Sequence, residues 1–176
     1  MSKKIILIAG PTASGKSKIA IEIAKKIKGE IINADSMQVY KEFSILSSRP
    51  STIDLKKIKH HLYGFQSVKK HFSTGAWLEL VKKKINICLK NKKIPILVGG
   101  TGLYFEVIIK GMSKIPNIDS EIRDKIRDLQ KKIGQRKFYE KLLELDPLVK
   151  NKIEPFDTQR SIRAYEVKKF TKKSIF

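Results

Sequence analysis

Gly10-Pro11-Thr12-Ala13-Ser14-Gly15-Lys16-Ser17 fits the pattern G-x-x-x-x-G-K-[ST], and its flanks supply the context that pattern needs. Ahead of it, Ile5-Ile6-Leu7-Ile8-Ala9 is a short apolar run, as expected of a strand buried in a parallel sheet. Behind it, Ile19, Ala20, Ile23, Ala24 and Ile27 recur at helical spacing. Strand, glycine-rich turn and helix in that order point backbone N–H groups at an anion, and the helix N-terminus adds its partial positive charge. Lys16 brings a full charge to the terminal phosphates, and the Ser17 hydroxyl offers a ligand to Mg²⁺. A chance glycine-rich turn would leave the flanking strand and helix without a reason. The sequence therefore predicts a site for a di- or triphosphate.

A chain of 176 residues, 41% of them hydrophobic, suffices for one domain with a small appendage. No apolar run approaches the ~20 residues of a membrane helix. The five apolar residues behind Met1-Ser2-Lys3-Lys4 are too few for a signal peptide, so a cytoplasmic location without membrane contact is expected. Cys88 is the one cysteine, which excludes an internal disulfide and suits a reducing compartment. Its apolar helical surroundings mark it as a packing residue. The net charge of +21, from 38 basic and 17 acidic side chains, favours a polyanionic partner. An AT-rich genome also enriches Lys, Ile and Asn, so charge alone does not decide the matter.

Further strands are predicted at Glu30-Ile31-Ile32-Asn33-Ala34 and Ile94-Pro95-Ile96-Leu97-Val98, with a helix from Ala76 to Lys90 between them. Strands alternating with helices imply a mainly parallel sheet. The stretch from Lys41 to Thr74 is loop-rich. Near Ile115 the pattern turns helical: Ile122, Ile126, Leu129 and Ile133 mark one helix, and Phe138, Leu142, Leu143 and Leu145 a second. A third enters at Pro155-Phe156 with Asp157 as its N-cap. The expected fold is α/β, a P-loop NTPase-like parallel sheet core over residues 1–113 with an appended helical subdomain over 114–176. Three strands are fewer than the five or so of a doubly wound phosphate-loop sheet. The expectation is a small fold or a chain truncated at its C-terminus.

The ends of the second and third strands carry polar segments to the edge that lines the ligand crevice of an open α/β sheet. One is Ala34-Asp35-Ser36-Met37-Gln38-Val39-Tyr40, where Asp35 either binds Mg²⁺, accepts a proton or merely caps a turn. The other is Gly99-Gly100-Thr101-Gly102-Leu103-Tyr104, either a close-approach ligand turn or a plain strand-to-helix turn. With the phosphate loop, these segments resemble the tRNA dimethylallyltransferase (tRNA isopentenyltransferase) family. Asp157-Thr158-Gln159-Arg160-Ser161-Ile162-Arg163-Ala164-Tyr165-Glu166-Val167 resembles that family's D-x-Q-R-x-x-R-A-x-E-V signature, and Arg49-Pro50 and His60-His61-Leu62 fall in the family's order.

That resemblance implies transfer of a dimethylallyl group from dimethylallyl diphosphate to the exocyclic amine of the adenosine on the 3′ side of a tRNA anticodon. Gly10, Pro11, Thr12, Ala13, Ser14, Gly15, Lys16 and Ser17 would hold the diphosphate, with Ser17 on Mg²⁺. Asp35 would be the general base, with Lys16 and Thr101 completing the catalytic set. Asp35, Ser36, Met37, Gln38, Thr101, Arg123, Gln159, Arg160, Ser161, Ile162 and Arg163 would meet the tRNA anticodon stem-loop, and the protein would work as a monomer. Family members run well past this length, which puts the channel wall and full activity in question. Phe156 stands where the family commonly has Asn, and Arg49 where Lys is common.

Other readings stay open. A small-molecule or nucleotide kinase shares the loop, although no lid with paired arginines is recognisable. A prenyltransferase acting on free adenine nucleotides, or an inactive tRNA-binding fragment, also fits. Arg160 and Arg163 lie on one helix face and either contact RNA or bridge to Asp157 and Glu166. His60 and His61 are read as structural or turn residues, Trp77 and Phe72 as core, and the lysine runs at 56–57 and 82–84 as solvated helix faces.

Overall fold

The computed structural model describes residues 4–112, 115–116 and 118–176. They fall into two compact units, residues 1–112 and 113–176. The expected boundary at 113/114 lies outside the described residues.

In the first unit, β1 (Ile6–Ala9), β2 (Gly29–Asn33), β3 (His60–His61) and β4 (Ile94–Gly99) form a parallel sheet in the order β1-β4-β2-β3. Helix α1 (Lys16–Ile27) follows the phosphate loop, α2 (Thr52–Lys57) lies in the long β2–β3 connection, and α3 (Thr74–Lys90) and α4 (Gly102–Lys110) flank β4 in sequence. Alternation along the strands divides the core. Ile31, Ile96 and Val98 pack on Ala20, Ile21 and Ala24 of α1. Ile32 and Leu97 point the other way, onto Trp77, Val81 and Cys88 of α3 and Tyr104, Phe105 and Val107 of α4. Sheet residues covered on both faces account for the apolar Ile31-Ile32 of β2 and Ile96-Leu97-Val98 of β4. The α/β, P-loop NTPase-like core expected from the sequence is present.

Two details differ from the sequence expectation. The apolar run before the phosphate loop predicts a buried strand, but β1 is an edge strand whose residues alternate between half-buried and exposed. The sequence predicts three strands, but a fourth forms at the opposite edge, where His60 and His61, read as structural or turn residues, pair beside Ile31 and Ile32. His61 points inward. Its Nε2–H donates to Glu30 Oε2 at 2.6 Å, and the Cys88 thiol donates to the same oxygen at 3.5 Å. Burial pushes the Glu30 carboxyl upward, but these two donors and the Lys59 charge outweigh burial and hold it below its ordinary value. Burial and the Glu30 charge raise the Cys88 thiol to about 11. Among the described residues, Glu30, His61 and Cys88 are the one group of three metal-ligand types in reach of each other. Their hydrogen bonds to one another suit a structural polar knot within the core.

The second unit is helical. α5 (Ser120–Leu145) is two helical segments joined at Gly134, whose φ of 78° is reached without strain by glycine. After a 3₁₀ turn at Pro147–Val149 comes α6 (Thr158–Thr171). Tyr139, Leu142, Val149, Ile153 and Ala164 form one apolar cluster, and Ile126, Phe138 and Ile162 a second. Asp146 is fully buried, with Lys168 Nζ 3.8 Å away as its counter-charge. No helix among the described residues is long and apolar enough to cross a membrane.

Candidate active site

The phosphate loop folds as the motif requires. Ala13 (φ 64°) and Gly15 (φ 78°) both take left-handed backbone, turning the chain so that α1 begins at Lys16. No side chain caps the α1 N-terminus, which leaves its first N–H groups open to an anion. Lys16 Nζ donates to the Pro11 carbonyl at 2.8 Å, curling its ammonium over the loop. Thr12, Ser14 and Ser17 are exposed.

The two polar segments named above meet this loop at the C-terminal ends of the strands. Gly10 N–H donates to Gly99 O at 3.3 Å, and Thr101 N–H to Ala34 O at 3.3 Å. A methyl group on Gly99 would lie 2.0 Å from the Ala34 carbonyl oxygen, so only glycine lets β4 pass there. One on Gly100 would lie 3.3 Å from Gly10 O and 3.4 Å from Asp35 Oδ2. Gly100 therefore separates the start of the phosphate loop from the Asp35 carboxylate by about the width of a side chain.

Asp35 is partly buried and does two things. Its Oδ1 accepts from Met37 N–H at 2.9 Å, a turn role that the sequence left open. Its Oδ2 has no protein donor among the described residues. Thr101 Oγ1 accepts from Ser36 N–H at 2.9 Å and donates to Ser36 Oγ at 3.2 Å, which ties the β4 turn to the β2 turn. Gln38 is anchored by its Nε2 to Ser47 O at 2.8 Å, whereas Met37 projects into solvent.

Sequence reasoning missed Asn33. Its buried carboxamide accepts from Asp35 N–H at 2.9 Å and donates to Asp35 O and Leu62 O, while Trp77 Nε1–H donates to the Asn33 carbonyl at 3.0 Å. An asparagine directly after the apolar pair Ile31-Ile32 was the available signal. Burial, then the Tyr40 and Asp35 charges, raise the Tyr104 hydroxyl to about 12. Tyr63 is shifted the same way by burial and by Asp35. Tyr104 stacks on Trp77 with ring centres 3.9 Å apart, so Trp77 is core as read from the sequence.

In the helical unit the sequence-predicted contact residues separate into two kinds. Asp157 Oδ1 accepts from Arg160 N–H at 3.0 Å and caps α6. Gln159 and Arg160 are exposed. Ser161 and Ile162 turn their side chains into the interior and offer no surface. Glu166, also buried, accepts from Arg163 Nη1 at 3.1 Å and has Arg123 Nε 3.5 Å away as a second counter-charge. The bridging alternative thus describes Arg163, and Arg123 joins it from α5. Arg160 lies 3.5 Å from Asp157 in a pair that remains largely in solvent.

A family model described as IPP transferase matches residues 38–176. A tRNA dimethylallyltransferase of Pelagibacter ubique is 63% identical over 173 residues, which cover 98% of this chain and 55% of that protein. One of Rickettsia canadensis is 49% identical over 174 residues, covering 99% of this chain and 54% of its own length. The chain spans about half the length of the curated relatives it matches. Among solved structures, a eukaryotic dimethylallyltransferase acting on tRNA superposes with a TM-score of 0.85 at 31% identity, over 98% of this chain and 43% of that one. The full-length tRNA isopentenylpyrophosphate transferase of Bacillus halodurans gives 0.63 at 32% identity, over 99% and 58%.

Proposed function

The chain belongs to the IPP transferase family, and from that premise we propose that it carries the donor site and part of the tRNA site of a tRNA dimethylallyltransferase. The observation that carries this reading is the convergence at Gly100: phosphate loop on one side, the free oxygen of Asp35 on the other.

The loop amides, the α1 N-terminus and Lys16 hold the diphosphate of dimethylallyl diphosphate. Ser17 is exposed on the first turn of α1, where one hydroxyl together with diphosphate oxygens suits Mg²⁺, an ion that takes few protein ligands. When bound, Mg²⁺ supplies charge neutralisation on the leaving group. The adenine amine attacks the allylic carbon, the carbon–oxygen bond to diphosphate breaks, and the amine proton passes to Asp35 Oδ2. That amine is a weak nucleophile because its lone pair is delocalised into the ring, so a carboxylate taking its proton as bonding develops lowers the barrier. Lys16 and the loop amides stabilise charge growing on diphosphate. Asn33 and the Ser36–Thr101 pair are positioning residues that fix the Asp35 turn. Ser36, Met37, Gln38 and Thr101 border the incoming base, which must leave its stack to reach the carboxylate. In the helical unit Gln159 and Arg160 contact tRNA, while Arg123 of α5 pairs with Glu166 of α6 and Arg163 braces the same carboxylate from within α6.

The test is transfer of radiolabelled dimethylallyl to an anticodon stem-loop. Wild type should release diphosphate only with RNA present. Asp35→Asn should keep RNA affinity while losing 10²–10⁴-fold in turnover, the usual range for a general base. Full turnover in Asp35→Asn would remove Asp35 from the reaction. ATP-dependent phosphorylation of a metabolite, without prenyl transfer, would replace the reading with a kinase.

A further inference from the structure

Phe156 is 86% exposed, the most exposed aromatic among the described residues. It is not on a loose tail. Its neighbour Ile153 is buried, and Tyr139 O–H donates to the Ile153 carbonyl at 2.8 Å. Gln135 Nε2 donates to Pro155 O at 2.7 Å, Asp157 N–H to Glu154 O at 2.9 Å, and Thr158 N–H to Phe156 O at 3.0 Å. The backbone on both sides is therefore pinned to the helical unit, and the ring is held out into water. Four residues on in the chain, Arg160 of the α6 first turn is also exposed, with the Asp157 carboxylate 3.5 Å from its Nε.

We propose that Phe156 is a stacking platform for one unpaired base of the RNA, with Arg160 engaging the same strand. This rests on the tRNA reading above. Single-stranded RNA segments are recognised by bases laid on aromatic rings and guanidinium planes, and a pre-fixed ring loses little freedom on binding. A net charge of +21 favours a polyanion over another basic surface as the occupant.

Stacking and phosphate contact separate by their salt dependence. Anticodon stem-loop affinity, measured by filter binding across a salt series, should fall about tenfold in Phe156→Ala with the salt slope unchanged. Arg160→Ala should weaken binding and lower the slope by about 1. Phe156→Trp should retain affinity, and its exposed indole should be quenched on RNA addition against the constant emission of buried Trp77. Wild-type affinity in Phe156→Ala, with Arg160→Ala weakened, would overturn the stacking role and leave the tRNA reading standing. If wild type bound no stem-loop, both would fall. A change of sedimentation in Phe156→Ala without loss of RNA affinity would make the ring a protein contact and overturn the proposal.

Discussion

Glu166→Ala should loosen the helical unit by an amount the geometry sets. The carboxylate is 2% exposed, while Arg123 and Arg163, which it pairs, are 32% and 39% exposed. Removing one member of a fully buried pair costs about 3–5 kcal/mol, most of it from leaving a charge without partner or water. Here both guanidinium groups can recruit water once released, which brings the expected loss to about 2–3 kcal/mol. Glu166→Gln keeps volume and one acceptor but forfeits the charge-assisted bonds, for about 1–2 kcal/mol. Urea unfolding followed by far-ultraviolet circular dichroism reads both. With a slope of about 1–3 kcal/mol per molar, Glu166→Ala should lower the midpoint by about 1–2 M. The double variant Arg163→Met/Glu166→Met should lose less than Glu166→Met alone, because an apolar pair leaves less charge stranded. An Ala variant as stable as wild type would mean that the two arginines are free on the surface, and their assignment as structural would be wrong.

Four more outcomes are expected. Lys16→Ala should weaken dimethylallyl diphosphate binding about 10–100-fold by calorimetry, the worth of a charged hydrogen bond; unchanged affinity would place the donor away from the loop. Gly99→Ala must push Ala34 O back from 2.0 Å, so thermal unfolding should show a loss of about 2 kcal/mol or more; a neutral result would mean that β2 and β4 are further apart than described. The Glu30 carboxyl is held low when folded, so its stabilising share is present above the unfolded carboxylate value and disappears as acid carries the pH through the folded one. Glu30→Gln should therefore flatten the acid limb of the stability curve. In the same knot, native Cys88, buried and raised to about 11, should resist iodoacetamide at pH 8 until the chain unfolds.

The phosphate loop was legible because motif, strand and helix are contiguous and each carries its own period. The fourth strand was not: two histidines have no alternation to detect, and β3 exists because residues 59–61 find a free edge on β2. The edge position of β1 was hidden for a related reason, since an apolar run does not say which neighbours a strand will have. Asp35 and Thr101 could be placed at one sheet end from their positions after strands, whereas Asn33 acts through bonds within a buried turn that composition does not reveal. In the 157–167 signature, Arg163 and Glu166 are three apart and their pairing was foreseeable. The arrival of Arg123 was not, because it depends on how α5 packs against α6.

The central claim is that the phosphate loop and Asp35 share one donor–acceptor crevice. A crystal of the protein soaked with a thio-analogue of dimethylallyl diphosphate measures it directly. The diphosphate should lie on the backbone N–H groups of residues 13–17 with Lys16 turned from Pro11 onto it, and the allylic carbon should open toward Asp35 Oδ2. Density for the analogue outside the loop, or an allylic end directed away from that oxygen, would contradict the account.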